Sequence, residues 1–145
     1  MKKISQKKSI YTVGNFKLKV KKSGTGKGLF AMQDIPKNVC VAEYFGTPVA
    51  EKDLEKQKYI RARYLFEIDK GFTVDGNVKG NVARYINHSC RPNCEARGPK
   101  GKVYIFSLRK IKAGEELTYD YGKEYFNEHI KPFGCKCDKC SKVGK

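Results

Sequence analysis

The sequence has no tryptophan and no run approaching the ~20 consecutive apolar residues that a membrane span requires, so a membrane-spanning chain is excluded as an expectation. Its first eight residues, Met1 to Lys8, lack the apolar stretch of a secretory signal, which predicts an intracellular protein whose thiols stay reduced. Acid is missing from residues 1–27, which hold nine lysines and no Asp or Glu. Such a segment either attracts nucleic acid or another acidic surface, or serves as a solvated tail; composition alone leaves both open. Internal repeats and low-complexity linkers are also lacking, which argues against an array or a tethered pair of domains.

What remains is ordinary globular material. The 145 residues are 39% hydrophobic, with nine Tyr and eight Phe, enough for one core and one domain. Formal charge is +16, from 31 Lys and Arg against 15 Asp and Glu. Alternation at Phe16, Leu18 and Val20, with lysines between, predicts a half-buried strand. Short runs rich in β-branched and aromatic residues at 28–32, 39–45, 64–68 and 103–108 predict further strands, separated by Gly, Pro or Asn turns. Gly98-Pro99-Lys100-Gly101 reads as a hairpin turn between 95–97 and the 103 strand. Helix is expected only over Glu51 to Tyr59 and Glu124 to Ile130. The fold class is therefore mainly β.

Several motifs carry chemistry, each weak in isolation. Gly24-Thr25-Gly26-Lys27-Gly28 has the glycines of a phosphate loop but lacks the Gly-Lys-Ser/Thr ending, and by itself is a tight turn. Asn87-His88-Ser89-Cys90 invites a nucleophilic reading, yet no third orienting group stands nearby, and a hydrogen-bonded structural histidine is the commoner outcome. Cys135, Cys137 and Cys140 crowd a lysine-rich tail with little core to employ them, a pattern that points to zinc. A tetrahedral site needs one more ligand, and Cys90, Cys94, Cys40, His88 and His129 are the candidates.

In order, Gly26-Lys-Gly28-Leu-Phe-Ala, Glu43-Tyr44-Phe-Gly46, Gly80-Asn81-Val-Ala-Arg84-Tyr-Ile-Asn87-His88-Ser89-Cys90-Arg-Pro-Asn93-Cys and Glu116-Leu-Thr-Tyr119-Asp120-Tyr121-Gly122 resemble the successive motifs of SET-domain protein-lysine methyltransferases. The resemblance covers about residues 16 to 140, and the tail resembles a post-SET zinc loop whose last cysteine arrives sooner than is common. There is no cysteine-rich pre-SET region, so the chain resembles a minimal, stand-alone member, divided into a basic tail (1–14), a catalytic domain (15–122) and a zinc-binding segment (123–145).

That resemblance implies small curved β-sheets and a knot-like threaded C-terminal segment bringing residues 84–90 beside 116–122. It implies S-adenosylmethionine as methyl donor and a structural zinc ion held by Cys90, Cys135, Cys137 and Cys140. Tyr121 would be the catalytic tyrosine, with Tyr44 and Tyr119 lining the lysine channel. Gly26, Lys27 and Gly28 would approach the methionine part of the cofactor by backbone. Asn87 would bind its amino-acid end and His88 its adenine region, supported by Arg84 and Tyr85. Tyr125 and Phe126 would close the channel or anchor the zinc loop, and Asp120 would be structural. The implied substrate is a lysine of a histone or another basic protein, with a non-specific DNA contact through the lysine-rich N-terminus. Tyr119, two residues before Tyr121, implies mainly mono- and some dimethylation. Two other classes stand beside this reading: an inactive SET-like binding module, and a zinc-stabilised nucleic-acid-binding protein, although the latter lacks a second Cys-x-x-Cys and a recognition helix.

Overall fold

The structure is a computed structural model that describes residues 11–24, 26–54, 56, 64–69, 72–122, 130–131 and 134–135. Tyr125, Phe126, His129, Cys137 and Cys140, and nearly all of the expected second helix, lie outside the described residues.

Four small sheets make up the described chain. β1 (Leu18–Ser23) and β2 (Gly26–Ala31) form an antiparallel hairpin whose register sets Leu18 opposite Ala31 and Val20 opposite Leu29. The expected alternation is therefore the real one: these four side chains face the core, while Lys19 and Lys22 are exposed. The strand starts two residues later than Phe16, which still packs against the core.

β3 (Cys40–Tyr44) and β4 (Thr47–Val49) belong to different sheets, separated by Gly46. β5 (Leu65–Asp69) and β6 (Phe72–Asp75) join β4 in the order β4-β6-β5. β7 is the dipeptide Asn87–His88. β8 (Cys94–Arg97) and β9 (Val103–Ser107) make the predicted hairpin, its turn closed by the Lys102 N–H donating to Pro99 O at 3.1 Å, and β3 adds to the other edge of β9. β10 (Thr118–Tyr119) lies parallel to β7.

The centre of the molecule is where these sheets meet. Leu29, Ile35, Ile86, Ile105, Ile111 and Leu117 are fully buried there, and Ile35 and Ile111 exchange backbone hydrogen bonds of 2.7 and 2.9 Å. Helix is scarce, as expected. The segment read as a helix from Glu51 opens with a single 3-10 turn, Glu51–Asp53, in which no residue is buried. Without an apolar face to dock, a short helix has little to hold it. A second 3-10 turn, Val82–Tyr85, falls inside the motif that precedes Asn87. Among the described residues no helix is long and apolar enough to cross a membrane.

Gly46 shows how closely two sheets approach. A Cβ there would fall well inside contact distance of the Asp75 backbone carbonyl, which cannot swing aside as a flexible side chain would. Gly24, at the β1–β2 turn, has nothing within 4 Å of the same position. Gly46→Ala should therefore destabilise the fold by about 1–3 kcal/mol, the usual cost of overpacking. Gly24→Ala should stay within about 0.5 kcal/mol of the parent. Denaturant midpoints of the two variants check this, and equal midpoints would contradict the close approach of the strands.

Candidate active site

The β7–β10 pairing sets Thr118 opposite Asn87 and Tyr119 opposite His88. It is extended by Ser89 N–H donating to Tyr119 O at 3.2 Å and by Tyr121 N–H donating to His88 Nδ1 at 3.1 Å. Residues 84–90 and 116–122 thus meet, as expected. Asn93, buried, holds the far side of β10 as a strand would: its Nδ2 donates to Glu116 O at 2.9 Å and its Oδ1 accepts Thr118 N–H at 2.9 Å.

Burial lowers the His88 pKa, an effect partly opposed by the charge of Asp120, whose Oδ1 lies 3.8 Å from Nδ1. The ring is therefore neutral near pH 7. Because Nδ1 accepts the Tyr121 amide hydrogen, the ring proton sits on Nε2, which faces Cys90 Sγ at 3.3 Å.

Asn87 is ringed by oxygen. Its Nδ2 lies 2.9 Å from Lys27 O, 2.7 Å from Glu116 Oε2 and 3.3 Å from Ser23 Oγ. Gly28 makes this possible, since a Cβ there would fall on the Glu116 carboxylate. Gly26 begins β2 with φ of 114°, a conformation that favours glycine. Lys27 is exposed, its Nζ 5.7 Å from the centre of the Tyr85 ring.

Arg84 works on the loop before it. It donates through Nη1 to Val78 O and Asn81 O at 2.8 and 2.9 Å, through Nη2 to the Tyr85 hydroxyl at 2.8 Å, and stacks 4.4 Å above the Tyr85 ring. Its Nε is buried without a hydrogen-bond partner among the described residues.

A row of aromatic rings leads away from His88. Successive centroids are 5.4 Å from His88 to Tyr121, 4.9 Å to Tyr119, 6.2 Å to Phe66 and 4.8 Å to Tyr44. Tyr44 and Tyr119 are only 4% and 7% exposed, so their rings form walls rather than surface. Tyr44 donates its hydroxyl hydrogen to Tyr64 O at 2.6 Å, and Tyr121 donates to Ile86 O. Gly76 leaves room for the Tyr44 ring, and buried Asn81 ties Gly76 in place with a 2.9 Å hydrogen bond to its carbonyl.

Phe66, Asn81 and Glu116 were not picked out as site residues by sequence. Glu116 and Asn81 stand within the quoted motifs, which was the available signal. Phe66 had none beyond its strand.

The four described cysteines separate into two kinds. Cys40 and Cys94 are buried, which pushes the Cys40 thiol up and the Cys94 thiol up to about 12, so neither suits metal binding. Cys90 and Cys135 are half-buried with their Sγ atoms 3.9 Å apart. Two thiolates on one tetrahedral zinc, with Zn–S near ~2.3 Å, stand about 3.8 Å apart. With His88 Nε2 they form a group whose ligand atoms lie within 4.8 Å of one another. A ring nitrogen that carries hydrogen donates to a thiolate rather than binding the metal, so the donor set fits zinc with His88 as a supporting group.

The sequence model of the SET domain matches residues 26–122. A histone-lysine N-methyltransferase specific for H3 lysine 4 from Schizosaccharomyces pombe is 45% identical over 76% of the chain, which spans 13% of that relative. Histone-lysine N-methyltransferase set1 from Dictyostelium discoideum is 40% identical over 78% of the chain and 8% of the relative. The human histone-lysine N-methyltransferase 2D is 38% identical over 81% of the chain and 2% of the relative. The chain therefore covers only a small part of each of these much longer proteins.

Burial predicts thiol reactivity. In metal-stripped protein, iodoacetamide should label Cys90 and Cys135 and spare Cys40 and Cys94 until the chain unfolds, as read by mass spectrometry of the digest. Labelling of Cys94 in native protein as fast as Cys90 would contradict its place in the core.

Proposed function

The chain belongs to the SET-domain family, and on that footing we propose that it transfers a methyl group from S-adenosylmethionine to a lysine of a histone or another basic protein. The observation that carries this reading is the convergence of Asn87 and His88 with Tyr121 at one end of a buried aromatic row. When bound, the cofactor supplies a sulfonium methyl already activated for attack by an amine.

The residues of this chain then have to bind, aim and dry. Asn87 and the backbone of Gly26, Lys27 and Gly28 meet the amino-acid end of the cofactor, and His88 its adenine region, with Arg84 and Tyr85 behind. Tyr44, Phe66 and Tyr119 wall the channel for the lysine stem. An exposed lysine has a pKa of ~10.4, and burial among apolar groups beside a second positive charge lowers it, so the neutral amine forms without a dedicated base.

Tyr121 is the catalytic tyrosine. The geometry that supports this is its hydroxyl hydrogen, committed to Ile86 O, which leaves the phenolic oxygen as an acceptor that orients an amine N–H. No carboxylate is needed, and Asp120, mostly exposed, stays out of the chemistry.

Zinc held by Cys90, Cys135, Cys137 and Cys140 closes the structure beside the cofactor site; the 3.9 Å separation of the first two sulfurs supports it. The histone methyltransferases among its relatives make histone H3 the first substrate to try, which implies work at chromatin in a nucleus, the host's if the source is a bacterium or virus. Exposed Lys17, just before the first hairpin, and Lys19 and Lys22 on it support an accompanying non-specific DNA contact.

Three outcomes are expected. Tyr121→Phe should largely abolish methyl transfer while cofactor affinity and thermal midpoint stay near the parent's; turnover at the parent rate would contradict the assignment. Tyr119→Phe should move the products from mono- and dimethyl-lysine toward higher states at long times, with overall rate changing less, because a hydroxyl is typically worth only about 0.5–1.5 kcal/mol net. Mass spectrometry of one peptide substrate reads both. Purified protein should carry one zinc per chain and lose it on Cys137→Ser; metal-free active protein would overturn the zinc site.

A further inference from the structure

Glu116 stands where the start of β10's segment meets Gly28 and Asn87. Its carboxylate lies against the bare Cα of Gly28 and accepts a 2.7 Å hydrogen bond from Asn87 Nδ2. Among the described residues it makes no ion pair.

The amide it touches is held in one orientation. Asn87 Nδ2 has two hydrogens and three oxygens around it, from Glu116, Lys27 and Ser23. The reverse orientation would press Oδ1 against a carboxylate and a carbonyl, so Glu116 and Lys27 O together turn Oδ1 away from themselves. No described residue donates to that Oδ1. A charge-assisted bond on the nitrogen also strengthens the oxygen of the same amide as an acceptor.

We propose that Glu116 is a positioning residue for the ammonium end of the methyl donor: it fixes the Asn87 carboxamide with its oxygen presented as an acceptor and places a negative charge behind it. The site then selects a ligand bearing a primary ammonium over the same ligand without one. The inference rests on the reading of Asn87 as the residue that meets the amino-acid end of S-adenosylmethionine.

The test is calorimetric binding of S-adenosylmethionine and of its analogue lacking the α-amino group to the parent, Glu116→Gln and Gly28→Ala proteins, each first checked by thermal unfolding. Glu116→Gln removes the charge and lets the Asn87 amide turn. Gly28→Ala keeps the charge but pushes the carboxylate off Asn87, at a backbone conformation alanine can adopt.

For both variants S-adenosylmethionine should bind about ten- to a hundredfold more weakly, the range expected for a lost charge-assisted hydrogen bond. The deaminated analogue should bind the parent and the Glu116 variants within about twofold. If Glu116→Gln does not fold, Gly28→Ala and Glu116→Asp decide. Equal losses for both ligands would mean that Glu116 only supports the fold, and unchanged S-adenosylmethionine affinity would equally overturn the proposal. Failure of the parent to bind either ligand would instead bring down the cofactor reading, and this inference with it.

Discussion

The candidate site hangs on a parallel ladder two residues long. A pair of dipeptides supplies too few hydrogen bonds to persist alone, and parallel pairing is slightly weaker per residue than antiparallel. It is held from three sides. Ile86 and Leu117, which flank β7 and β10, are completely buried. Asn93 stands in for a missing strand on the outer edge of β10, and Ser89 N–H and His88 Nδ1 add bonds beyond the ladder's end. Its position is thus set by the core, while its polar side chains are left for the site.

His88 makes three contacts at that ladder. Its Nδ1 holds the backbone of Tyr121, its Nε2–H is directed at Cys90, and its ring continues the aromatic row. A shift at Cys90 would therefore be felt at Tyr121 through a single imidazole. A neutral, buried ring suits the position, because a charged imidazolium could not accept the Tyr121 amide hydrogen. Cys90 and Tyr121 are thus joined by contact rather than by proximity in sequence, since Tyr121 follows His88 by 33 residues.

The mainly β fold was legible because strands with one face in the core announce themselves by alternation, and because Gly98 to Gly101 punctuates a hairpin that the structure contains. β7 and β10 were not legible as strands. Two residues cannot show a period, and their pairing depends on buried neighbours far along the chain. The helix read from Glu51 opens as one 3-10 turn, since polar spacing resembles helix but buries nothing. At the site, the motif residues Asn87, His88, Tyr119 and Tyr121 came from resemblance, and the structure brings them together. The contact of Glu116 with Asn87 has no signal in the sequence, because it depends on Gly28 lying across from the carboxylate, a relation that exists only in three dimensions. Cys90, as against Cys40 or Cys94, could not be chosen from spacing; burial separates them.

The most direct test of the account is incubation of the purified chain with methyl-labelled S-adenosylmethionine and, separately, histone H3, nucleosomes and other basic proteins, followed by mass-spectrometric location of the label. The account predicts label on lysine Nε of a protein substrate, mainly as monomethyl-lysine. A chain that binds the cofactor but leaves every lysine unlabelled, or that places the label on another side chain, would contradict it.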